Sequence, residues 1–143
     1  MSDVSAANSV WKNFRIFLVI AGLQVTGSLL LALAATRGLI SSETTLRGVM
    51  VLVGLGLAAC GNRIPKGADG LPPRTLKLAT LRQSILRMAG WAMMLGGLLF
   101  ALLWAFVPLD AAAIGATIAL GAFMAVTLGG VTWRIFAYHR RQR

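Results

Sequence analysis

Four long apolar runs, joined by connections too short to hold a domain of their own, leave this chain few folds to choose from. They cover about residues 14–35, 46–64, 86–107 and 111–133. A helix that crosses a bilayer needs roughly 20 such residues, because it must span the hydrocarbon core and satisfy its backbone hydrogen bonds internally. Only 13% of the 143 residues are charged, where a soluble domain carries about a quarter, and mean hydropathy is +0.77. The expected fold is all-α: a polytopic membrane protein, one transmembrane domain over residues 1–143 built as a four-helix transmembrane bundle.

The net charge of +10 sits at the ends of the apolar runs. Lys12 and Arg15 precede the first run. Arg63, Lys66, Arg74, Lys77, Arg82 and Arg87 lie around the connection between the second and third, and Arg134, Arg140, Arg141 and Arg143 close the chain. The other side has Arg37 and Arg47 against Glu43 and Asp110. The positive-inside rule then places both termini and the basic loop 65–85 in the cytoplasm, facing anionic headgroups. Nucleic acid is not an expected partner, since no compact basic fold is available to carry it. The lone Cys60 excludes an internal disulfide and a multi-cysteine metal site.

Several positions carry local expectations. Residues 1–10 are small and polar and read as a disordered tail, and Trp11 as a headgroup anchor. Ala32-Leu33-Ala34 resembles a signal cleavage site, but the run before it exceeds the ~7–15 residues of a signal core, so the first span is expected to be retained. Gln24, Thr26 and Ser28 are suited to bonding a neighbouring helix. Ser41 or Ser42 is placed to cap the second helix, with Glu43 in its first turn. Gly61 and Asn62 read as a left-handed helix stop reinforced by Pro65. From Arg74 an interfacial helix is expected to run into the third span. Trp91 and Trp104 fall near the two ends of that span, as aromatic belts do.

Small residues recur at helical spacing. Gly54 and Ala58 are four apart, as are Gly56 and Cys60. Gly90, Gly96, Gly97 and Ala101 offer a close-packing face on the third span. Gly121, Ala125 and Gly129 form another on the fourth, with Ala111, Gly115 and Ala119 beside it. Such faces let helix backbones approach, in this chain or in a partner. Pro108-Leu109-Asp110 is so short a connection that the third and fourth spans must form an antiparallel hairpin, with Asp110 able to cap the fourth helix.

Catalytic equipment is sparse. No span holds a central Asp, Glu, Lys, Arg or His, the residues that mark proton and ion pathways in membranes. His139, the single histidine, lies in the basic tail. No nucleophile–base pair or metal-ligand spacing stands out, so a non-enzymatic protein without cofactor is expected, acting through lipid or protein contacts. Asn62, Arg63, Lys66, Arg74, Lys77, Arg82 and Arg87 are the candidate interaction or headgroup residues. The expected partners are anionic lipid, and another membrane protein or a second copy. A small-solute transporter or channel subunit with Gln24, Asn62 and Thr117 along a path, an accessory subunit of a larger complex, and a lipid-acting enzyme remain as alternatives.

The pattern Gly61-Asn62-x-x-Pro65-Lys66, a basic linker, then Arg87-x-x-Gly90-Trp91 resembles the SdpI-like bacterial membrane proteins over about residues 48–107. The resemblance implies a multi-pass protein of the bacterial inner membrane. It also implies immunity to a membrane-active toxin, with signalling through capture of a repressor. Where that family carries Arg-Pro-Asn and Thr-His-Arg segments, this chain has a Gly-Ala-Asp-Gly-Leu-Pro-Pro linker and Ile85-Leu86-Arg87.

Overall fold

The computed structural model describes residues 2–64 and 76–140. They form four helices: α1 (Ser2–Thr36), α2 (Ser42–Arg63), α3 (Leu76–Phe106) and α4 (Leu109–Arg140). Each contains a stretch long and apolar enough to cross a bilayer, Phe14–Thr36, Ser42–Arg63, Ala79–Phe106 and Leu109–Ala137. The chain is therefore an all-α, multi-pass membrane protein folded as a four-helix bundle. Leu23, Leu30, Phe106 and Ile118 are among the many large apolar side chains it exposes. They would cause aggregation in water and form a lipid-facing surface here.

The helices pack in chain order, each antiparallel to the last, and among the described residues α1 neighbours only α2 at the backbone while α4 neighbours only α3. Burying leucine gains little when lipid is equally apolar, so packing relies on small residues and polar bonds. Between α1 and α2, three glycines each receive a side chain from the other helix. Leu52 lies over Gly27, Leu31 over Gly48, and the Gln24 amide over Gly56. Gln24 Nε2 donates to the Leu52 carbonyl at 3.0 Å, as its place in the first span predicts. In a membrane such a bond contributes about 0.6–2 kcal/mol.

Backbones meet most closely between α2 and α3. A Cβ on Gly97 would stand 2.6 Å from both the Ala58 nitrogen and the Gly54 oxygen. One on Gly54 would stand 2.7 Å from the Gly97 oxygen, and one on Gly61 2.5 Å from the Met94 nitrogen. Gly54 and Ala58 therefore act as the sequence predicts, against Gly97 and Ala101. Gly96 points elsewhere, under the Phe123 ring of α4.

At the hairpin end, Phe100 and Trp104 of α3 pack on Ala112 and Ala116 of α4, with Met50 and Val51 of α2 closing the cluster. Trp104 is 7% exposed, so it is a core residue and not part of an aromatic belt. Its ring lies 6.3 Å from Phe100, and Phe106, 80% exposed, occupies the outer position instead.

Ser41 caps α2, its hydroxyl accepting from the Thr44 amide at 3.1 Å, with Glu43 in the first turn. α1 ends where Gly38 takes φ +71, a left-handed conformation glycine adopts without a Cβ penalty. The Leu39 amide then reaches back to the Ala34 carbonyl at 2.9 Å, closing the turn.

Three local expectations are corrected. α1 begins at Ser2, so the segment read as a disordered tail continues the helix; residues 2–13 contain no Pro or Gly to stop it. Gly61 and Asn62 do not form a left-handed stop: both are helical, and Ile64 follows at φ −50. Gly61 is small because α3 touches it, and the helical angles continue through Ile64, whose amide donates to the Cys60 carbonyl. α4 starts at Leu109, placing Asp110 inside its first turn and not at the cap. On α4 the tightly buried small residues are Ala112 and Ala116, while Gly115 of the expected face lies under Leu103 of α3.

Candidate functional site

α3 runs unbroken from Leu76 to Phe106, so the expected interfacial helix and the third span are one rod. Counting back the ~20 residues that cross the hydrocarbon core from Phe106 reaches Arg87. The same count from Leu109 along α4 ends near Leu128, leaving Arg134 about a turn and a half farther out. The hairpin register brings the two together. Met88 sits over Gly130, so Arg134, four residues on, stands beside Ser84, one turn from Arg87.

The result is a groove of about 400 Å³ between α3 and α4, lined by Thr80, Gln83, Ser84, Arg87, Met88, Trp91 and Arg134. Two arginines from different helices line it, with Thr80, Gln83 and Ser84 beside them and no carboxylate among the lining residues. Arg134 is half-buried and Arg87 exposed. Trp91, 57% exposed, closes the apolar side. Guanidiniums donate in a planar fork that matches carboxylate and phosphate oxygens. Like charges sharing a groove repel, and a bound anion removes that repulsion.

The predicted interaction residues are distributed unevenly around this groove. Arg87 lines it. Arg82 is exposed on α3 about 140° from Arg87 around the helix at 100° per residue, away from the groove. Asn62 and Arg63 are exposed in the last turn of α2. Lys66 and Arg74 lie outside the described residues, as does the Lys77 side chain. Arg134 was legible only as one member of a basic tail; its partnership with Arg87 needs the register of the α3–α4 hairpin.

The second small-residue face is free of contact with the other described helices. Gly121, Ala125 and Gly129 are exposed, and no atom lies within 4 Å of where a Cβ would stand on Gly121 or Gly129. An apolar groove of about 430 Å³ opens between α2 and α4, over Met93 and Gly96 of α3 and against Leu57, Phe123 and Met124. The three polar residues of a conceivable transport path do not converge. Gln24 is bonded to α2, Asn62 is exposed, and Thr117 is exposed and bonds its own helix at the Ala113 carbonyl, 2.8 Å away.

Compared with known protein families, curated proteins and solved structures, the chain matches none.

Proposed function

We propose that this is a non-enzymatic protein of a bacterial inner membrane, with both termini cytoplasmic, that works by binding an anionic partner at its basic end. The convergence of Arg87 and Arg134 in one groove carries this reading. The charge asymmetry supports its orientation: Glu43 and Asp110 offset Arg37 and Arg47 at the hairpin end, while Arg63, Arg82, Arg87, Arg134 and Arg140 lie at the other. The likeness of Gly61-Asn62-x-x-Pro65-Lys66 to the SdpI-like proteins makes immunity or signalling at the membrane the physiological role to test first. The exposed Gly121/Ala125/Gly129 face is the surface on which a second copy or another membrane helix would pack.

A thiol placed in the groove reports its occupancy. In a Cys60→Ala background, Ser84→Cys is expected to react slowly with a maleimide in native membranes and severalfold faster after purification and delipidation. Asn62→Cys, exposed at the same end on α2, controls for general membrane shielding and is expected to change less. Equal rate changes at the two positions would mean that nothing occupies the groove.

A further inference from the structure

We infer that the anion held by Arg87 and Arg134 is the phosphate of an anionic phospholipid, whose acyl chain lies along a continuous apolar stripe on α3. This rests on the proposed function and names its ligand. Three observations converge on a lipid in place of a free anion.

The first is depth. The ~20-residue count that sets the hydrocarbon core ends at Arg87 on α3, and Arg134 stands just beyond the core on α4. The groove therefore sits where lipid phosphates lie. The second is continuity. Below Arg87, the residues Trp91, Leu95, Leu98 and Leu102 follow at steps of four, four, three and four, one helical face. All four are exposed, at 57%, 47%, 40% and 54%. A free phosphate or nucleotide has no use for that stripe, whereas a diacyl chain hanging from the groove covers it. The third is the lining. Two forked donors from separate helices, with Ser84 and Gln83 at their side, can contact one phosphate and the polar headgroup beyond it. Single arginines snorkelling to the interface offer no such convergence.

Anionic headgroups are thereby preferred over zwitterionic ones. In phosphatidylcholine the phosphate is followed by a quaternary ammonium, which two guanidiniums repel. Phosphatidylglycerol supplies the phosphate with hydroxyls that Gln83 and Ser84 can bond.

The test uses the full chain, purified and delipidated, then returned to detergent micelles holding equal amounts of phosphatidylglycerol and phosphatidylcholine. Retained lipid is counted by native mass spectrometry. The wild type is expected to retain phosphatidylglycerol at least tenfold over phosphatidylcholine. Arg87→Gln and Arg134→Gln should each cut that preference about tenfold, equivalent to ~1.4 kcal/mol, and the double variant should remove it. Both side chains reach the surface, so the variants are expected to fold, and an unchanged thermal midpoint confirms that the loss is one of binding. Inorganic phosphate and chain-free glycerophosphoglycerol, each in large excess, should fail to displace the lipid. Equal retention of the two lipids, or full phosphatidylglycerol retention by the double variant, overturns the inference, as does complete displacement by inorganic phosphate. If Ser84→Cys is nevertheless protected in native membranes, the anionic partner is another one and the proposed function stands.

Discussion

Gly97→Leu is expected to abolish recovery of folded protein, and Gly97→Ala to destabilise it by about 1–3 kcal/mol, the usual cost of overpacking. The reason lies in what the new atoms meet. At Gly97 they meet the Ala58 nitrogen and the Gly54 oxygen, both 2.6 Å away. Those are backbone atoms of a helix and cannot turn aside as a side-chain tip can. α2 and α3 must separate, and they lose the backbone approach at Gly54, Ala58 and Gly97. Gly22→Ala, on α1, is the matched control. It adds the same methyl group to a helix in the same membrane, but nothing lies within 4 Å. Alanine's helix propensity should there leave stability unchanged or raise it by up to ~1 kcal/mol. Unfolding in mixed micelles of rising denaturing-detergent fraction measures both. Equal effects at positions 97 and 22 would contradict the packing described for α2 and α3.

Arg47→Ala carries the second large effect, a loss of about 2 kcal/mol, in the range for hydrogen bonds made by charged groups. Arg47 projects from α2 across the end of α3. Its Nη1 donates to the carbonyls of Trp104 at 3.2 Å and Val107 at 2.8 Å. Those carbonyls sit at the C-terminal end of a helix, where acceptors lack intrahelical donors and positive charge is favoured. Glu43, one turn earlier, holds the guanidinium by accepting from Nε at 3.0 Å. That surface pair adds only a few tenths of a kcal/mol, so Glu43→Ala should cost far less than Arg47→Ala. Arg47→Lys should recover only part of the loss, because an ammonium lacks the fork that spans two carbonyls and a carboxylate. The same detergent titration ranks the three variants. The released α3–α4 turn should also become more sensitive to protease in Arg47→Ala.

The number of helices and their antiparallel order were legible in the sequence because span length is imposed by the bilayer and short connections leave no other topology. Gly54 and Ala58 were legible because four-residue spacing of small residues has one main use in a membrane. Gly61 was misread because a glycine before Asn-x-x-Pro satisfies two physical demands at once, a helix stop and a close contact. Only the position of α3 decides between them. Trp104 was misread because distance along a span says how deep a residue lies, not whether it faces lipid or protein. The candidate site was half legible. Arg87 was visible as a charge at a span's edge, but Arg134 joins it only through the hairpin register, seen in Met88 over Gly130 and Gly96 under Phe123.

The central claim is that the α3–α4 groove opens on the cytoplasmic side and is filled by an anionic partner there. A membrane-impermeant, charged maleimide applied to Ser84→Cys in the Cys60→Ala background tests its orientation directly, because Ser84 lines the groove and no other thiol remains. Slow labelling of inverted membrane vesicles that becomes severalfold faster after delipidation, with none on intact spheroplasts, is the predicted result. Labelling of intact spheroplasts would place the basic groove outside and contradict the account.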